Sequence, residues 1–349
     1  MSNCITLTVD YHDRNSVIRW RDGRTGSELL PTVATTAASF LQVVDQALAA
    51  AGRRGRVVWI QESTSGWARV QRLLGKHVEF VLANVVQMPL PPKARRRKTD
   101  KVDTARMQRE YLAGTLPRAH QPSAWWRQLR RLVSMREDLV RRQTALRNWI
   151  NRYLAHETWE ARDNLWSGKG QQRLEAILTR LPVSDRQLIE WKLTELELLR
   201  RQRLAMDKML YRHWQEWPAA QRLDAIKGIS IAAAVSIAAR IGPIERFADA
   251  DALIAFAGLA PGVRQSDATR HSGCIGGGGT DRQLRHYLIE ASVWARQLPR
   301  YRDTYERVAK RRGKKIGRLV VAWLMLRSIY KMLRDGLAFE AEKKVTVVR

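Results

Sequence analysis

"ITLTVD", residues 5–10, alternates apolar with β-branched polar positions and closes on an aspartate. Period-two alternation is the pattern of a strand with two different faces. It predicts a first β-strand that delivers Asp10 to its end. "RVVWIQE", 56–62, is a continuous β-branched and aromatic run, as expected for a strand buried on both sides, and it ends on Glu62. Between them, "SVIRW" (16–20) predicts a second strand and "SELLPTV" (27–33) a third. "AASFLQVVDQALAAA" (37–51) has helical spacing and stops at Gly52. "GWARVQRLLG" (66–75) reads as a short helix and "HVEFVLA" (77–83) as a further strand. A proline-rich, then basic, connector, "VQMPLPPKARRRK" (86–98), leads to a helix beginning near Lys101. Three strands, a helix, then strand–helix–strand–helix predicts an α/β domain over residues 1–115.

Composition points to a polyanionic partner. The chain has 349 residues, with 62 Lys plus Arg against 34 Asp plus Glu, a formal net charge of +28. Such an excess repels itself in a compact fold, so folding does not account for it. A hydrophobic fraction of 45% belongs to a globular protein rather than a disordered basic tail. A membrane is the rival partner, but the apolar runs "GISIAAAVSIAA" (228–239) and "LVVAWLML" (319–326) are too short to span one. The opening "MSNCITLTVD" shows no basic-then-apolar leader pattern. The two cysteines, Cys4 and Cys274, form neither a disulfide framework nor a zinc-finger spacing. A cytoplasmic nucleic-acid protein, acting at the nucleoid, is expected.

Residues 116–217 differ in character. Leu132, Leu139, Leu146 and Tyr153 recur every seven residues, with Leu129, Val133, Val140 and Ile150 alongside, which predicts a long amphipathic helix. "WSGKG" (166–170) reads as a turn, and Ser184 with Gln187 as a capping box opening a second long helix. In that helix Leu188, Glu195, Gln202 and Met209 share one heptad phase, and Trp191, Leu198 and Ala205 another. A central coiled-coil region follows, either an antiparallel helical hairpin or an intermolecular coiled coil. Residues 218–349 read as mainly helical. "LDAIKGISIAAAVSIAARIG" (223–242) is similar to a helix-hairpin-helix, with Ser230 where a second glycine is usual; Lys227 lies in its turn. Such a turn presents backbone N–H groups to phosphate. The four glycines 276–279 require a loop. "KRRGKKIGR" (310–318) supplies Lys310, Arg311, Arg312, Lys314, Lys315 and Arg318 as a phosphate-contacting patch.

"RRRKTDKVDTAR" (95–106) sets two aspartates, Asp100 and Asp103, among Arg95, Arg96, Arg97, Lys98 and Lys101. At i, i+3 they share a helix face, about 5–6 Å apart at Cβ. As a bland alternative they are a solvated helix start with local ion pairs. With Asp10 and Glu62 at strand ends, they make four carboxylates from three elements, a hard oxygen set suited to Mg²⁺ or Mn²⁺. His12 and Asp13 are alternative ligands. The strand order with D…E…D-x-x-D is similar to the ribonuclease H fold of Holliday-junction resolvases.

The C-terminal third narrows the resemblance. "IGPIERFADADALIAFAGLAPGVRQS" (241–266) resembles the hallmark segment of the IS110 family of insertion-sequence transposases. "VDYH" (9–12), "WIQES" (59–63) and "KTDKVDTAR" (98–106) match the three acidic segments of that family's RuvC-like domain. The resemblance implies a DNA recombinase guided by a structured bridge RNA that pairs with donor and target DNA. It implies dimers that assemble into tetramers, and a serine that attacks DNA to form a phosphoserine link. By position that serine is Ser266, with Ser272 its close competitor and Arg264, Arg270 and His271 at hand for phosphate charge. This chain departs from the family in having Asp267 after the serine, where glycine is usual, and "GGGG" after Ile275. The alternative is a metal-dependent junction nuclease using the four acids alone.

Overall fold

A computed structural model describes residues 3–64, 66–88, 100–158, 165–260, 263–266, 269–272 and 280–340; the side chains of residues 100, 101, 263–266 and 269–272 fall outside that description. The chain forms two compact units, Met1–Gln121 and Pro122–Arg349.

The first unit is built on strand β1 (Cys4–Asp10). It pairs antiparallel with β2 (Asn15–Asp22) on one side and parallel with β5 (Arg56–Glu62) on the other. The last strand, β6 (Val78–Ala83), adds parallel to β5. The expected third strand is two short pieces, β3 (Glu28–Leu29) and β4 (Thr32–Ala34), both antiparallel to β2. Pro31 lies between them; it has no amide to give the ladder, and its carbonyl instead accepts from Ile18 N at 3.0 Å.

Alternation along β1 sorts its side chains. Ile5, Leu7 and Val9 join a core with Val57 and Trp59 of β5, closed by helices α1 (Ala37–Ala51) and α2 (Trp67–Leu74). Helix α1 starts where Thr36 accepts the Ser39 amide and stops at Gly52, φ 74°. On the opposite face Val58 and Ile60 pack with Met107 of helix α3 (Asp100–Leu112). This six-stranded mixed sheet, helix-covered on both faces, fits a ribonuclease H-like domain.

In the second unit α4 (Ala124–Glu157) and α6 (Val183–Gln215) lie antiparallel. Trp125 meets His213, Arg136 pairs with Asp207 at 2.5 Å, and the Tyr153 hydroxyl donates to Asp185 at 2.9 Å. Helix α5 (Gly168–Leu178) closes the far end over Ile150, Leu154 and Ile189. Two sequence expectations fail here. "WSGKG" is the first turn of α5, because Ser167 accepts the Gly170 amide at 3.1 Å and caps it. Helix α6 begins one residue before Ser184, from Pro182, without a side-chain cap, so the capping box does not form. Fixed proline φ suits a helix start without one.

At the near end Leu129, Val133 and Leu210 enter one core with the C-terminal helices. These are α7 (Pro218–Asp224), α8 (Ile231–Ile241), α9 (Ala250–Phe256), α10 (Arg282–Ala295), α11 (Pro299–Arg312) and α12 (Lys314–Asp335). Between α7 and α8 Gly228 takes φ 97°, and a Cβ there would stand 2.6 Å from the Ala291 carbonyl oxygen. Only glycine suits both demands. A hairpin of β7 (Val263–Ser266) and β8 (Thr269–Ser272) interrupts the helices where the sequence reading expected loop. Among the described residues no helix is long and apolar enough to cross a membrane.

Candidate active site

Asp10 and Glu62 end neighbouring parallel strands. The β1–β5 register runs to Val9↔Gln61, so these acids occupy the next position on each strand. Asp10 shares its face with Thr6 and Thr8, and Glu62 shares its face with Val58 and Ile60, the side on which α3 lies. Asp10 is buried to 8% exposure, and Glu62 is half-buried. Of the alternative ligands, His12 has its Nε2 3.5 Å from Asp10 Oδ1, and Asp13 is exposed.

Helix α3 runs back along β1. Near its C-terminal end Tyr111 lies beside Arg56 and Cys4, at the starts of β5 and β1; burial and the Glu79 carboxylate push its hydroxyl pKa up. One turn earlier Gln108 Nε2 donates to Thr6 Oγ1 at 3.3 Å. From Gln108 back to Asp100 is about 12 Å of helix, and from Thr6 on to Asp10 about 13 Å of strand. The first turn of α3, with Asp100 and half-buried Asp103, therefore lies level with the end of β1. The Asp100 side chain is outside the described residues. Among the described residues no three His, Cys, Asp or Glu side chains gather closely enough to hold a metal ion. As a donor set, four carboxylates on two strand ends and one helix turn suit a hard divalent cation.

The sequence reading missed what lies between α3 and β1. Thr6, Thr8, Thr104 and Gln108 are all buried to 3% exposure or less, a polar seam leading away from the acids. Thr8 Oγ1 has no hydrogen-bond partner among the described residues. Tyr11, next to Asp10, accepts from Arg69 of α2, and its ring packs on Gly66, where a Cβ would come within 2.9 Å. Buried threonine and glutamine at i, i+4 was the available signal.

The basic candidates divide. Arg95, Arg96, Arg97 and Lys98 lie outside the described residues, as does the Lys101 side chain. Lys227 is exposed and donates to Gln297 Oε1 at 3.0 Å. Lys310, Arg311 and Arg312 form the exposed last turn of α11, and Lys314 and Lys315 the exposed first turn of α12, around Gly313 at φ 87°. Arg318 is half-buried one turn on. In the β-hairpin Ser266 pairs with Thr269, Gln265 with Arg270, Arg264 with His271, and Val263 with Ser272. Ser266 is thus a strand residue at the tip and Ser272 sits at the base, three rungs and about 10 Å away. Asp267 and the four glycines lie outside the described residues.

Two family models match the chain. A DEDD transposase model of IS110 type, described as Transposase, matches residues 8–157, from β1 through all four acids to the end of α4. A second, described as Transposase IS116/IS110/IS902 family, matches 220–306, which contains the β7–β8 hairpin. Together they span well over half of the chain. No curated protein matches it. A ribonuclease H-like sheet with acids at two adjacent strand ends, followed by a helical unit with its own family match, makes this a transposase, an enzyme acting on DNA. The chain belongs to the IS110 family of insertion-sequence transposases.

The Gln108–Thr6 bond lends itself to a stability cycle. Gln108→Leu alone leaves a buried hydroxyl without its donor and should cost about 1–2 kcal/mol, whereas Gln108→Leu with Thr6→Val removes both partners and should recover about 1 kcal/mol of that loss. Urea unfolding of the four variants reads the difference. Additive losses would show that the seam is not coupled.

Proposed function

We propose that this transposase is a bridge-RNA-guided recombinase that exchanges DNA strands through a phosphoserine at Ser266, with Asp10, Glu62, Asp100 and Asp103 as the ligands of a divalent cation. The observation that carries the reading is the parallel β1–β5 register, which sets Asp10 and Glu62 side by side at strand ends level with the first turn of α3. Mg²⁺ or Mn²⁺ held there would neutralise phosphate charge and polarise the scissile bond. The acids alone would repel DNA, so their tolerance in a chain of +28 is itself in keeping with a cation.

At the serine the bond changes balance simply. Ser266 Oγ attacks phosphorus, the Oγ–P bond forms, and the deoxyribose P–O bond breaks, with the serine proton passing to the leaving oxygen. Attack by the hydroxyl of a second strand reverses the step and restores serine. Serine is a weak nucleophile at neutral pH and needs transition-state charge stabilisation. Arg264 and Arg270, one and two rungs from Ser266 in the hairpin, are the residues assigned to it. A place at the tip of a hairpin supports Ser266 over Ser272. A glycine-hinged helix–turn–helix at Lys227 and the cationic corner at Gly313 are assigned to donor and target DNA and to guide RNA.

Labelled DNA incubated with guide RNA and Mg²⁺, then run on a denaturing gel, tests the chemistry. Wild type and Ser272→Ala should give a protein–DNA adduct, Ser266→Ala none, and Asp103→Asn at least a hundredfold less with the fold intact. An adduct lost only in Ser272→Ala moves the nucleophile to the base of the hairpin. Cleavage without any adduct favours a water-using nuclease.

Affinity should fall by roughly 10²–10³-fold from about 50 to 200 mM salt, given a slope near −0.9 per phosphate contact and the five exposed cations around Gly313. A flat titration would remove that corner from the interface.

Assembly as a dimer, pairing into a tetramer on DNA, is supported by α6. Val183, Trp191 and Leu198 are 86%, 63% and 57% exposed, an apolar stripe facing away from α4. Trp191→Glu with Leu198→Glu should lower the mass of the nucleic-acid complex by half or more in light scattering. An unchanged mass would place self-association elsewhere.

A further inference from the structure

The segment that carries the β7–β8 hairpin leaves and rejoins the helical unit at one place. On the outgoing side Gly258 takes φ 68°, and a Cβ there would stand 2.9 Å from Thr280 Cβ and 2.6 Å from Arg285 Nη1. On the returning side Asp281 N donates to the Phe256 carbonyl at 2.8 Å, and Arg285 Nη1 to the Gly258 carbonyl at 3.2 Å. The two sides touch, so residues 259–280 hang from a single neck. The glycine of "AGLAP" is there because no side chain fits between the two sides.

Charge fastens the neck. Asp281 Oδ1 accepts the Gln283 and Leu284 amides at 3.2 and 2.9 Å, capping α10. Both Asp281 oxygens also accept from Arg240 Nη1 at 3.2 Å. The remaining Arg240 nitrogens reach α4, with Nη2 2.7 Å from Glu137 Oε2 and Nε 3.4 Å from Oε1. The side chains of Arg240, Glu137 and Asp281 are only 17%, 15% and 17% exposed. Arg130 and Arg246 stand next to them and donate to the last carbonyls of α8, at Ala239, Arg240 and Ile241. Burial lowers the pKa of both, that of Arg246 to about 10. Burial also opposes the charge on Arg240, but Asp281 and Glu137 outweigh it and raise its pKa. A buried ion pair of this kind is weak evidence for stability, since well-packed apolar side chains often do as well; its attested use is to fix one arrangement among several.

We propose that Glu137, Arg240 and Asp281 are positioning residues that hold the neck of the serine-bearing hairpin against the long helix α4. The catalytic part of this statement rests on Ser266 as nucleophile; the mechanical part does not. Through these three side chains a change at α4 is transmitted to the hairpin, because Arg240 is the one group bonded to both.

Two readouts on the full chain test this. Asn is as good a helix cap as Asp, so Asp281→Asn keeps the α10 start and removes the charge. In hydrogen exchange, peptides covering 259–280 should exchange at least tenfold faster in Asp281→Asn and in Arg240→Gln, while α8 and α12 keep wild-type rates. Glu137→Gln should fall between, and it stands in if either other variant misfolds. Unchanged exchange in 259–280, or acceleration spread evenly over all helices, would overturn the proposal and leave a plain stability role. The second readout is single-turnover adduct formation at saturating DNA. It should slow about tenfold in Asp281→Asn at unchanged DNA affinity. Wild-type speed there would overturn the positioning role. An adduct that survives Ser266→Ala refutes only the nucleophile assignment, since the exchange result stands without it.

Discussion

Parallel pairing between β1 and β5 is the constraint on which the first unit depends. Strands adjacent in the sheet are separated by 45 residues of chain, and nothing local fixes their register. It is fixed by burial on both faces. A slip of one residue would turn Ile5, Leu7 and Val9 out of the α1–α2 core and drive Thr6 and Thr8 into it. The same rungs decide where Asp10 and Glu62 end up. Hydrophobic sorting thus performs a positioning task for two acids that contribute nothing to the core themselves.

Much of this was legible because the signals were periodic. Both acid-bearing strands, α1 to its Gly52 cap, and the two long helices follow from period-two or heptad spacing. The misses share a cause, which is that they depend on partners distant in sequence or on one hydrogen bond. The third strand broke at Pro31 because a ladder needs every amide, which composition does not record. "WSGKG" looked like a turn on its glycines, yet one serine hydroxyl was enough to start a helix there. The β7–β8 hairpin was hidden by its basic and polar residues, which lack the apolar alternation of a half-buried strand. At the candidate site the four acids could be named from spacing, whereas the seam of Thr6, Thr8, Thr104 and Gln108 could not, since isolated threonines and glutamines occur on any solvated helix.

The long helix pair shows why sequence character and structural grouping diverge. Its heptads set it apart from the residues on either side. Yet Leu129, Val133 and Leu210 sink into the core of α7–α12, while Ile150, Leu154 and Ile189 form a separate cluster with α5 at the far end. Between these apolar ends the pair is joined by polar contacts, Arg136 and Arg203 on Asp207. Apolar ends with a polar middle hold the two helices in one register, because a shift by a heptad would bury an unpaired arginine or aspartate.

The two groups of candidate catalytic residues are anchored in different ways, and the difference follows from their surroundings. Asp10 and Glu62 are the last residues of strands whose backbones are paired on both sides and packed on both faces, so their Cα positions are as fixed as the core. Ser266 stands at the tip of a two-stranded hairpin, and a lone hairpin is marginal in water. Its position therefore depends on the neck at Gly258 and Thr280, and beyond the neck on the charges of Arg240, Asp281 and Glu137. A metal site needs ligands held to within a few tenths of an ångström, and strand ends supply that. A nucleophile that must leave one strand and meet another needs reach, and a hairpin hung from a fixed neck allows reach without losing its point of attachment.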